Sequence, residues 1–74
     1  MSIAHVQIEW VRYIGTTQAE SLYTLYRNES GGWCCDVLDQ RDRPTFRYGP
    51  FSTRGQAIQA AEWHIDNVTV IHRA

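Results

Sequence analysis

Apolar and polar residues alternate from Ala4 to Ile14, with Ala4, Val6, Ile8, Trp10 and Ile14 on one side and His5, Gln7 and Glu9 on the other. A period of two over this length predicts a half-buried strand. Gly15-Thr16-Thr17 interrupts it, and the run from Ser21 to Arg27, rich in Leu, Tyr and Thr, suits a pleated surface and predicts a second strand. A competing reading makes residues 18–27 helical, because Thr17-Gln18-Ala19-Glu20 has the form of a capping box and Ala19, Leu22 and Tyr26 share a helical face. Gly31-Gly32 permits positive φ and predicts a hairpin into a third strand, Trp33 to Asp39, with Trp33, Cys35 and Val37 inward. The polar run from Asp39 to Pro44 predicts a turn into a fourth strand, Thr45 to Tyr48, with Phe46 and Tyr48 inward and Gly49-Pro50 as its end.

The period then changes. Ser52 and Thr53 are N-cap residues by type, and Thr53 with Gln56 forms a capping box ahead of Ala57-Ile58-Gln59-Ala60-Ala61-Glu62-Trp63-His64-Ile65. At about 100° per residue, Ala57, Ile58, Ala61 and Ile65 fall on one stripe suited to a sheet, while Trp63 lies well away from it. After Asp66-Asn67, Val68, Val70 and His72 alternate with Thr69, Ile71 and Arg73, which predicts a short closing strand. The fold class is α+β: an antiparallel sheet of about four to five strands packed on one helix, in the order β-β-β-β-α-β. Residues 1–74 form one domain, since a chain this short buries only about 60% of its unfolded surface and leaves no room for a second core.

Composition narrows the picture. Apolar residues at 43% and charged residues at 20% are ordinary for a globular domain and exclude intrinsic disorder. No stretch approaches the roughly 18 uninterrupted apolar residues of a membrane helix, and the N-terminus lacks a basic segment followed by an apolar run, so a cytoplasmic location is expected. Adjacent Cys34 and Cys35 point to opposite faces of a strand and are expected to be reduced packing residues. A net charge of −1 argues against a strong sequence-independent grip on nucleic acid. All seven basic residues are Arg, which fits either planar bidentate contacts or a GC-rich coding sequence, and Arg41, Arg43, Arg47 and Arg54 make a modest basic corner.

Candidate chemistry is sparse. The chain has no Ser-His-Asp signature, nucleophile elbow or phosphate-binding glycine loop, so no catalytic residue is assigned and the chain is expected not to be an enzyme. His5, His64 and His72 are dispersed and there is no Cys-x-x-Cys, which predicts neither a metal site nor a cofactor. Asp36, Asp39 and Asp42 recur every three residues but diverge on a strand and turn, and are expected to be solvated charges.

Tyr26 to Trp33, Val37-Leu38-Asp39, Tyr48 to Thr53 and Gln56 to Ala61 together make a recognisable outline: an aromatic strand after a glycine turn, a second hairpin, a Gly-x-Phe step and an alanine-dense helix. Over residues 22–66 this resembles the three-stranded-sheet-plus-helix units of plant AP2 domains and phage integrase arm-binding domains. It also looks like short bacterial domains of unknown function with the same GGW and F-S/T-x-x-x-A-I-x-A-A pattern. The resemblance implies a sheet face whose Arg and Trp residues read DNA. Here the outward positions are Thr24, Tyr26, Cys34, Asp36, Leu38, Thr45 and Arg47, with Leu38 where the family pattern expects Arg. One Arg and one carboxylate do not supply the several phosphate contacts that duplex binding uses.

The leading expectation is therefore a non-enzymatic module that binds a protein partner through Tyr26, Leu38 and Arg47 on the outer sheet face, or through the Trp63 side of the helix. Trp63 is either an interface anchor or a ring that the N-terminal strand folds over. The length and outline suit a regulator or inhibitor of phage or mobile-element type, anti-CRISPR proteins included, acting by steric occlusion. A second expectation is nucleic-acid binding, with Arg27, Arg41, Arg43 and Arg47 on phosphates and Tyr26 stacking. A third is a homodimer, in which the edge strand Ala4 to Ile14 pairs with its twin.

Overall fold

A computed structural model describes residues 7–15 and 20–68. Four strands, β1 (Glu9–Ile14), β2 (Glu20–Arg27), β3 (Trp33–Leu38) and β4 (Pro44–Phe51), precede one helix, α1 (Arg54–Asn67). The strands form an antiparallel sheet in the order β1-β2-β3-β4, so β1 and β4 are its edges. The helix lies on one face of this sheet. The class is α+β, in the order β-β-β-β-α.

Segment 20–27 is a strand, which resolves the competing helical reading of residues 18–27 as far as Glu20; Gln18 and Ala19 lie outside the described residues. Leu22, Tyr23, Thr24, Leu25 and Tyr26 are β-formers or neutral, and Tyr23, Thr24 and Leu25 pair on both sides, with β1 and with β3. The turn into β3 closes through Asn28. Its N–H donates to Gly32 O at 2.8 Å, its side-chain carbonyl accepts from Gly32 N–H at 2.8 Å, and Gly31 takes φ of 89°. The β3–β4 turn is built on Asp39, whose carboxylate accepts from the N–H groups of Arg41 (2.8 Å) and Arg43 (3.0 Å). The Arg43 N–H bond is the main cause that holds the Asp39 carboxyl below the usual carboxylate range. Asp39 is thus a turn-former, not a bare solvated charge.

Strand β4 runs three residues past the expected end at Tyr48, through Gly49-Pro50 to Phe51, which pairs with Trp33. Proline is tolerated there because an edge strand has one row of N–H groups with no ladder partner to lose. The helix starts where the capping box placed it: Thr53 Oγ1 accepts from Gln56 N–H, and Gln56 Oε1 accepts from the Ser52 and Thr53 N–H groups. It continues beyond Ile65 to Asn67, and Val68 caps it by donating its N–H to His64 O at 2.7 Å. The remainder of the expected closing strand, residues 69–73, lies outside the described residues, as do Ala4, His5 and Val6.

The core sits between α1 and the two central strands: Tyr23 and Leu25, Cys35 and Val37, and Ala57, Ala61 and Ile65. Burial pushes the Cys35 thiol up to about 11, and Cys34 and Cys35 are both free and buried. His64 joins this layer from the β4 side. Its Nδ1 lies 2.7 Å from the Tyr48 hydroxyl and its ring 4.4 Å from that of Phe46, which is otherwise half exposed. Burial lowers the His64 pKa from its ordinary 6.5, so the native state holds the ring neutral where the unfolded chain protonates it. The contribution of the neutral His64 ring to stability is complete above about pH 6.5 and is lost as pH falls through the lower native value. Melting temperatures recorded between about pH 8 and about pH 5 should fall on acidification, and His64→Phe should flatten that slope; an unaltered slope in the variant would assign the acid loss elsewhere.

Strand β1 presents the opposite side to the core from the one its longest apolar alternation selects. The register Glu9↔Leu25, Val11↔Tyr23 places odd-numbered residues on the helix side, where Val11 and Tyr13 pack against the core. Ile8, Trp10 and Ile14 are left 48%, 61% and 59% exposed. Apolar residues occur at both parities of this strand, so its alternation admits two solutions, and pairing with β2 decides between them. Side chains from the helix fix the choice at both ends: Arg54 donates to Glu9 Oε1 at 2.7 Å, and the Tyr13 hydroxyl donates to Asp66 Oδ2 at 3.1 Å.

Candidate interaction surface

The sheet face turned away from α1 carries the even-numbered residues of β1 and β2, the Cys34-Asp36-Leu38 set of β3, and Arg47 of β4. Among the described residues, no helix or strand is packed on it. One cross-strand row runs Trp10, Thr24, Asp36, Arg47. Its centre is polar and rigid. Asp36 is only 6% exposed, yet its carboxylate accepts from Arg47 Nε at 2.9 Å and Nη2 at 3.2 Å and from the Tyr26 hydroxyl at 3.0 Å. The Arg47 guanidinium carbon also lies 5.8 Å from the centre of the Tyr26 ring. Burial, reinforced by the Asp36 hydrogen bond and charge, pushes the Tyr26 hydroxyl up to about 12. The guanidinium's own hydrogen bonds to Asp36 raise Arg47 further above its already high value. Asp36 is therefore a buried, fully engaged carboxylate rather than the solvated charge its spacing suggests.

Beside this triad the face becomes apolar and open. Trp10 and Ile14 flank Arg12, whose Nε bonds Glu20 Oε2 at 3.1 Å, and Ile8 extends the row at the strand's start. Two large exposed apolar side chains on β1 and a third just before it, next to charged groups already paired within the chain, make a surface of the composition found at protein interfaces.

The structure distributes the sequence-derived interaction residues unevenly. Tyr26 and Arg47 come together through Asp36 on this face. Leu38 is on the same side but 5% exposed, so it supports the face without presenting area. Trp63 stands on the solvent side of α1, 56% exposed, so no described segment folds over it, and it is separated from the sheet face by the whole thickness of the domain. The residues missed from sequence are Ile8, Trp10 and Ile14. Their signal was Arg12, which shares their parity and would have been buried with them had they faced the helix.

The four arginines of the nucleic-acid reading do not form one surface. Arg27 donates to Gly31 O at 3.0 and 3.1 Å and lies 5.4 Å from the Trp33 ring; Arg43 pairs with Asp39 at 3.5 Å; Arg47 is held by Asp36; Arg41 stands in the exposed β3–β4 turn. Among the described residues, no group of three or more His, Cys, Asp or Glu side chains is arranged to hold a metal ion. No helix of the described residues is long and apolar enough to cross a membrane.

No family model, curated protein or solved structure matches this chain.

Proposed function

We propose that this chain is a non-enzymatic protein-interaction module whose working surface is the outer face of the sheet, with Trp10 as its anchor. The observation that carries this reading is the row Ile8, Trp10, Ile14, about half or more exposed on the face opposite the only helix described. A tryptophan at the centre of an apolar row, bordered by fixed charges, has the anatomy of a binding hot spot with a polar rim. The Asp36–Arg47–Tyr26 cluster supplies the rim with little ordering cost on association, because its side chains are already held. The partner is a protein that packs on Trp10 and its apolar neighbours. The action is steric, covering the partner's own working surface, which accords with a small regulator or inhibitor of the phage and mobile-element kind. The alternative of nucleic-acid binding is less well supported, since three of its four arginines are engaged within the chain.

Affinity capture from host lysate, with and without nuclease, tests this reading. Recovery of a protein in both conditions is expected, and Trp10→Ala should weaken binding by about 30-fold or more. Trp63→Ala should leave affinity within about threefold, and both variants should retain the wild-type melting temperature. Undiminished capture by Trp10→Ala, or recovery that disappears with nuclease, would overturn it.

A further inference from the structure

We propose that the partner seated on β1 is a second copy of this chain, paired antiparallel along the edge of β1 that carries no other strand among the described residues, about a twofold axis between the two copies of Val11. This rests on the reading of the Trp10 face as an interaction surface and names its occupant.

The two edges of the sheet are unequal. Strand β4 carries Pro44 and Pro50, and its register against β3 shifts twice, features that spoil a template for backbone pairing. Strand β1 has no proline and pairs with β2 in continuous register over all six residues, so its outer backbone groups form a regular row that no other described strand pairs with. Symmetry then restricts the register. A twofold axis relating two antiparallel edge strands stands perpendicular to the sheet and keeps each face on its own side, so one residue must lie opposite itself. The axis therefore passes through a residue and never between two.

Of the axes at Trp10, Val11 and Arg12, near the middle of β1, the one at Val11 gives the most complementary seam. On the outer face, Trp10 of each copy lies opposite Arg12 of the other, and Ile8 opposite Ile14, so all three exposed apolar side chains gain partners. Two reciprocal cation–aromatic pairs form, with each Arg12 already oriented by Glu20. On the helix face, Val11 meets Val11, and Glu9 lies opposite Tyr13. Glu9 holds Arg54 and Tyr13 holds Asp66, so the basic start of one α1 faces the acidic end of the other. An axis through Arg12 instead sets two like charges directly opposite, which is destabilising. An axis through Trp10 sets Ile8 against Arg12 and leaves Ile14 beyond Ile8 of the other copy. The helices of both copies lie on the same side of one continuous sheet of eight described strands.

Light scattering over a concentration series should show a dimer in exchange with monomer. Arg12→Glu places a carboxylate against the facing Trp10 ring and should weaken dimerisation by about tenfold or more, with the far-UV circular dichroism of the wild type. Val11→Cys should form a disulfide-linked dimer on mild oxidation, with peptide mapping showing residue 11 joined to residue 11, because the native Cys34 and Cys35 are buried. Thr45→Cys on the opposite edge should not. A monomeric mass throughout the series, or a dimer that links through position 45 and not position 11, would overturn the proposal. A monomer whose capture of another protein still depends on Trp10 removes the second copy while leaving the interaction surface intact; the two failures are thereby distinguished.

Discussion

Ile65→Ala is expected to destabilise the domain by about 3 kcal/mol, a large part of the roughly 4–11 kcal/mol that a chain of this size commands. The helix delivers few large apolar groups to the sheet. Of its residues buried in the core cluster, two are alanines, Ala57 and Ala61, which bring the helix backbone close to β2 and β3 but contribute little area. Ile65, with no exposed surface, is the helix's one bulky aliphatic anchor. Truncation leaves a void bordered by side chains already packed and by small alanines, with nothing long enough to collapse into it. The urea midpoint should fall accordingly, while Ile58→Ala, on the half-buried flank of the same helix, should cost about 1 kcal/mol. A midpoint unmoved by Ile65→Ala would show that α1 does not dock through this residue.

Gly49→Ala should cost about 3 kcal/mol or more, for two reasons that add. Gly49 has φ of 120°, a backbone conformation that residues with a Cβ rarely adopt. A Cβ built there falls 2.7 Å from Trp33 O and 3.0 Å from the Cys34 Cα, both backbone atoms of a central strand that cannot yield locally. Gly55 provides the control. It lies in the first turn of α1 with only Thr53 Oγ1 within 4.0 Å of a built Cβ, so Gly55→Ala should stabilise by about 0.5–1 kcal/mol. Thermal melts of the two variants should move in opposite directions; a neutral Gly49→Ala would refute the close approach of β4 to β3.

Much of the framework was legible because its signals are local. Gly31-Gly32 and the polar run from Asp39 mark the two hairpins, and Thr53 with Gln56 marks the helix start, each through bonds made within a few residues. What escaped depends on distant pairing. Val11 and Tyr13 are as apolar as their neighbours, so only the alignment of β1 with Tyr23 and Leu25 reveals that Trp10 and Ile14 point outward. The engagement of Asp36 escaped for the same reason: Arg47 is eleven residues away and becomes its neighbour only through the β3–β4 register. Tyr26 and Arg47 were recognisable as outward-facing residues, but their role as a braced pair was not, since composition does not disclose which carboxylate they share. Strand β4 was read short because Gly49-Pro50 ends most strands, and an edge position relaxes that rule.

The asymmetry between the proline-bearing margin of β4 and the regular margin of β1 bears on solubility. A ribbon that accepts a neighbour along both borders grows without limit, whereas the four described strands offer a single hospitable border. Whatever strand joins there, the addition consumes the vacancy and would create no equivalent one if the newcomer were an identical molecule related by a twofold axis. The same feature that invites recognition thus serves as a built-in safeguard against fibrous polymerisation.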